Sequence, residues 1–294
     1  MQSSNPVFTR SEGFNGRGRA QGGYGNQTYP GAGQYAGYGS PSQWGTGTPG
    51  PMTHADPSAD RGPMTIDSVV QKTGVTLGLV VLVAAATWVL TGDLSNPAAA
   101  QRLYTLSMVG AFGGFILSMV ISFRRAISPA LVLTYAALEG LFVGSFSKVL
   151  EGVYGGPNGG SGLVIGAVAG TMAAVAGTLA AYKFFNIKVG AKFRMWVIGA
   201  MFGFVALSLL DVVLSLFHAS FGFNGFGGMG LLSSVIGLGL GVLMLILDFD
   251  FVERGIAAGL PERESWRAAF GLTVTIVWIY IELLRLLAIL RGND

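Results

Sequence analysis

The chain has 294 residues, of which 51% are hydrophobic and only 11% charged, against about 25% charged in an ordinary soluble chain. That much apolar surface cannot be buried in one water-soluble core, so a soluble globular protein is excluded. Zero cysteines exclude disulfides, thiolate metal sites and cysteine nucleophiles; the net charge of +3 is small, and no nucleic acid is expected as a partner.

The chain opens with GFNGRGRAQGGYGNQTYPGAGQYAGYGSPSQWGTGTPGP inside residues 1–60. Gly, Pro, Ser, Gln and Tyr dominate, there is no apolar periodicity, and such a segment cannot bury enough surface to offset its ordering entropy. It holds no apolar run of the kind a cleaved signal peptide needs. Residues 1–65 therefore read as a disordered cytoplasmic tail, and residues 66–294 as a transmembrane domain.

From Val70 onward, apolar runs alternate with short polar punctuation: Val75–Leu90, Leu103–Phe123, Ile127–Leu150, Leu163–Tyr182, Phe193–Phe217, Met229–Phe251 and Trp266–Leu290. Each approaches the ~20 residues a helix needs to cross a bilayer. The expected fold is all-α: a polytopic membrane protein with a seven-helix transmembrane bundle. A six-span arrangement with a re-entrant last segment is the alternative. Pro129 falls in the first turn of the third run, where its missing N–H is tolerated. Gly166, Gly170 and Gly177 in the fourth run predict close helix approach there.

Basic residues set the orientation. With the N-terminus inside, the inner segments hold Arg61, Lys72, Arg124, Arg125, Lys183, Lys188, Lys192, Arg194, Arg254, Arg263 and Arg267. The outer segments hold only Arg102, Lys148 and Arg291. The bias predicts a cytoplasmic N-terminus, an external C-terminus and a lipid bilayer, the cell (plasma or inner) membrane, as the surrounding partner.

Ionisable residues inside the hydrocarbon cost roughly 2.5–3.5 kcal/mol each on insertion scales and are functional candidates. They are Glu139, Asp211, Asp248, Asp250, Glu282 and Arg285. At ~1.5 Å rise per residue, Glu139 lies near the midplane, roughly 16 Å deep. Asp248 lies about 6 Å from the inner end of its run, level with Arg124 and Arg125. Two layers are expected: an inner one joining Asp248, Asp250 and Glu253 to Arg124 or Arg125, and an outer one joining Asp211, Glu282 and Arg285. Arg285 with Glu282, three residues apart on one face, also reads as a pair that satisfies itself. Asp248 and Glu139 lack a basic partner on their own helices, which favours function over structure for both.

The stretches LMLILDFDFVERG, LPERESWRAAFGL and LLRLLAIL, with FRRAISPALVLTYAALEGLFVGSFS before them, resemble the Bax inhibitor family and its bacterial YccA-like members. The resemblance covers roughly Val70 to Arg291. It implies a seven-helix bundle with a central ionisable site that controls a leak of calcium, and also of protons, across the membrane. In such members two acidic residues on the last two helices share a proton, and a basic residue at the inner end of the second helix latches the first. Asp248 matches the first acidic position and Arg124 the latch. Counting back without gaps from LLRLLAIL places Thr275 at the second, where this chain departs from the pattern. Glu282 is the remaining acid on the last run, roughly 18 Å from Asp248 along the membrane normal and too far to share a proton.

Two functions follow. One is a passive, pH-sensitive leak for Ca2+ or another cation, with Asp248 in the path, suited by the preference of calcium for carboxylates. The other is a non-conducting regulator that binds membrane proteins such as quality-control proteases, as the resemblance implies for YccA-like members. No cofactor or metal site is read, and the helices offer no nucleophile-base pair or HExxH-like spacing for an enzyme. Asp211 and Asp248 do not form an aspartyl pair, because their depths disagree.

Overall fold

A computed structural model describes residues 62–156, 162–185 and 187–292, and residues 1–61 of the tail predicted over 1–65 lie outside them. The described residues form seven helices: α1 (Ile66–Leu90), α2 (Pro97–Phe123), α3 (Pro129–Tyr154), α4 (Leu163–Phe184), α5 (Ala191–Leu216), α6 (Gly228–Ala257) and α7 (Glu264–Gly292). All seven are long and apolar enough to cross a membrane. The last segment is one continuous 29-residue helix, so it spans rather than re-enters.

Local chemistry explains the helix starts. Thr65 and Ser68 bond each other's backbone N–H in a capping box before α1. Asn96 caps α2 with its side chain, and Pro97 and Pro129 occupy first-turn positions of α2 and α3. Residues 62–65, assigned above to the tail, are ordered. Met64 N–H donates to the Leu260 carbonyl at 2.7 Å, Glu262 N–H donates to Gly62, and Met64 is 1% exposed. Lys72 adds an ion pair with Glu262 at 2.8 Å, tying α1 to the α6–α7 turn.

The most buried helix is α7, wrapped by α1, α3, α4 and α6, while α2 packs on α3 and α5 on α6. The outward faces of α2 and α5 carry large apolar side chains such as Phe112, Phe115, Trp196 and Phe202, as expected where lipid replaces water as solvent. The closest helix approaches are not on α4. A Cβ on Gly140 or Gly144 would sit 2.7 or 2.6 Å from the α1 carbonyls of Val80 and Ala84. One on Gly110 would sit 2.6 Å from the Phe142 nitrogen of α3. Gly166 and Gly170 meet only the flexible ends of Leu287 and Leu283, and Gly177 meets nothing. The Gly-x-x-x-Gly spacing of α3, Gly140 to Gly144, is the small-residue seam of this bundle.

Candidate functional site

Asp248 on α6 faces α7. The Thr275 hydroxyl donates to its Oδ2 at 2.6 Å, and Gly271, one turn earlier, leaves room for Oδ1. Gly271 and Thr275 share a face of α7 because helical neighbours recur four residues apart. The carboxylate therefore lies inside the bundle with a neutral hydroxyl as its partner, and it takes part in no ion pair among the described residues. Because α6 runs on to Ala257, Asp248 is roughly 14 Å from that helix end.

The expected inner layer does not form among the described residues, because Asp248 is turned toward Thr275 of α7. Arg124 and Arg125 are exposed beyond the end of α2. Among the described residues neither pairs with a carboxylate; their backbone carbonyls accept from Arg267 instead. Asp250 has different partners. Arg194 of α5 donates to its Oδ2 at 2.9 Å, and Arg254, one turn along α6, donates to both oxygens. Glu253 points elsewhere and accepts from the Tyr182 hydroxyl at 2.6 Å. The inner cluster is thus Arg194–Asp250–Arg254, a clamp between α5 and α6 that excludes Asp248 and Arg124.

At the far end, Glu282 and Arg285 are buried together on α7, with Oε2 and Nη1 3.7 Å apart. Arg285 spends its Nη2 on the carbonyls of Phe223 and Gly230 and on the Ser233 hydroxyl. Asp211 does not bond Arg285. Its carboxylate accepts backbone N–H groups from Phe221, Gly222 and Asn224, plus the Asn224 side chain, at 2.9 to 3.3 Å. Asp211 folds the α5–α6 loop, and the loop presents the Phe223 carbonyl to Arg285. The outer layer is one network linked through backbone rather than through direct contact of three charges. Gly237 lies against Glu282, and the adjacent Trp278 donates to the Gly237 carbonyl at 3.0 Å.

Glu139 stands apart. It is half-buried on α3 and faces α2, where Gly114 provides the space its carboxylate occupies. Its neighbour one turn back, Tyr135, is buried edge-on against Phe270 of α7. One carboxylate escaped notice in the sequence. Glu151, on the last turn of α3, is only 6% exposed and accepts the Val164 N–H of α4 at 2.9 Å. It follows the apolar run that ended at Leu150, so it read as loop.

A bundle of seven apolar helices, with an α6 aspartate turned toward α7, agrees with one family model. The Bax inhibitor 1 like model matches residues 5–292. The chain belongs to that family. The match extends over the tail as well as the bundle, further than the resemblance drawn from Val70 onward. A search of curated proteins found no match to the chain. In this Bax inhibitor family member, the Thr275 hydroxyl of α7 is what the Asp248 carboxylate meets across the helix contact.

Proposed function

We propose that this family member is a passive cation leak, with calcium as its ion and Asp248 as the carboxylate that the ion meets. The observation that carries the reading is the isolation of Asp248. An anionic group within the span is expensive unless partnered, and its partner here is one hydroxyl. A passing cation would supply the missing charge, and calcium favours carboxylate oxygen among side-chain ligands.

The sign of the pH dependence follows from the absence, among the described residues, of an arginine on Asp248. Protonation has no latch to release, and it removes the charge that attracts the ion. Flux should therefore fall as pH falls. The test is calcium entry into dye-loaded liposomes containing the purified full chain at pH 6, 7 and 8. The expected result is flux that declines toward pH 6, and in Asp248→Asn a low flux that no longer varies with pH. Flux that rises on acidification and persists in Asp248→Asn would overturn the role of Asp248.

No flux above empty liposomes would instead favour a non-conducting regulator that binds other membrane proteins, the reading supported by the neutral Thr275. In that case capture of membrane proteins by the full chain, but not by a chain lacking residues 1–60, would assign the contact to the tail.

A further inference from the structure

A groove of about 510 Å3 lies between the start of α5 and the end of α6. Arg194 and Arg254 wall it, and a stripe of α5 made by Met195, Ile198 and Gly199 forms its floor. Residues three and four apart share a helix face, so these positions follow one another along α5 away from its end. Among the described residues α5 packs on α6 and on no other helix, so the groove opens to the bilayer. Met195 is exposed, and a Cβ on Gly199 would meet nothing.

The two arginines converge on one carboxylate. Arg194 donates to Asp250 Oδ2 at 2.9 Å, and Arg254 donates to both oxygens of the same group. Asp250 is buried, whereas the side chains of Arg194 and Arg254 are 41% and 48% exposed. Two guanidiniums against one carboxylate leave one positive charge in excess. Nε and Nη1 of Arg194 and Nη1 of Arg254 meet no acceptor among the described residues, so N–H donors as well as charge remain for a ligand.

Position narrows the ligand. Arg194 is the fourth residue of α5 and Arg254 the fourth from the end of α6, each about 4.5 Å from its helix end. That is the level of lipid headgroups, with hydrocarbon beyond it. A guanidinium presents its N–H groups in a planar fork that matches phosphate, and basic pockets between membrane helices bind anionic headgroups. A soluble phosphate would use the arginines and leave the apolar floor uncovered. Positive charge at headgroup height, with an apolar floor leading into the membrane, describes a phospholipid of net negative charge.

We propose that this groove binds an anionic phospholipid, its phosphate accepting from Arg194 and Arg254 and one acyl chain lying along Met195, Ile198 and Gly199. The site is independent of whether the bundle conducts. Phosphatidylcholine carries the same phosphate with no net charge, so comparing it with phosphatidylglycerol isolates the excess charge of the groove.

The test places the full chain in nanodiscs of phosphatidylcholine with a minor fraction of phosphatidylglycerol and reads retained lipid by native mass spectrometry. Wild type should retain phosphatidylglycerol in preference by roughly tenfold, the factor equivalent to about 1.4 kcal/mol. Arg194→Gln and Arg254→Gln should each lose most of that preference, whereas Asp250→Asn, which removes the compensating carboxylate, should increase it. A cluster that only clamps α5 to α6 predicts the same loss for all three. Arg125→Gln removes an exposed charge elsewhere at the same end of the bundle and should leave the preference unchanged. Gly199→Phe fills the floor and should reduce retention of phosphatidylglycerol. Equal retention of the two lipids by wild type overturns the proposal, as does a preference reduced by Asp250→Asn. A loss in Arg125→Gln as large as in Arg194→Gln shows diffuse attraction to the surface and overturns the site, as does retention unaffected by Gly199→Phe.

Discussion

Thr275 decides what Asp248 can do. Its hydroxyl donates the one hydrogen bond that the carboxylate receives among the described residues. Thr275→Val keeps the shape and removes the donor, so it should lower stability by about 1–3 kcal/mol, read as a lower Tm in detergent. Thr275→Asp places two carboxylates in contact, a like-charged pair that must share protons. It should give a steeper change of flux with pH between pH 6 and 8 than wild type shows, and unchanged steepness would remove this pair from the mechanism. Other local features were unequally legible in the sequence. Asp250 and Arg254 are four residues apart, and their pairing follows from helical spacing alone. Arg194 joins them from another helix, and no spacing rule reveals that. Thr275 was legible only through the resemblance, because a threonine in an apolar helix looks unremarkable. Glu151 was hidden by its place just beyond the run of apolar residues.

Helix packing here is set by a few glycines, and the composition of a run does not say which. The Gly-rich α4 suggested itself, yet its glycines face side-chain tips or open space, while Gly140 and Gly144 of α3 face α1 backbone. Gly144→Ala should therefore destabilise by about 1–3 kcal/mol, because its methyl group would strike the Ala84 carbonyl. Gly177→Ala should be neutral or stabilising by up to about 1 kcal/mol, since alanine favours helix and meets no neighbour. Thermal unfolding of the two variants in the same detergent separates them. The α5–α6 loop depends on Asp211 in the same direct way. Asp211→Ala strands three backbone N–H groups and should speed amide exchange over residues 217–227 while leaving α7 protected. The apolar runs marked every helix but missed their ends. The first run began at Val75, whereas α1 begins at Ile66; the sixth ended at Phe251, whereas α6 ends at Ala257. An apolar run records the thickness of the hydrocarbon, whereas caps and turns end the helix.

Seven apolar helices can be read from composition and periodicity, because lipid demands that each crossing satisfy its own backbone. Their arrangement around α7 cannot be read that way, since it depends on side-chain contacts between distant segments. The segregation of basic residues motivates an orientation with the α2–α3 turn inside and the α1–α2 turn outside. The cysteine-free chain makes this simple to test with single exposed cysteines. Ser95→Cys should react with a membrane-impermeant thiol reagent on intact cells, and Ala126→Cys only after permeabilisation. The reverse pattern would invert the orientation.

The short pairing of residues 62–64 with residues 260–262 has a mechanical consequence. The chain does not enter α1 directly; it is first fastened to the turn that joins α6 and α7 by two backbone hydrogen bonds and the buried Met64. Tension reaching Gly62 along the polypeptide is therefore borne by that turn before α1 feels it. The turn lies between Asp250 on one helix and Thr275 on the other, so a pull on the chain loads the hinge of the pair of helices that holds Asp248.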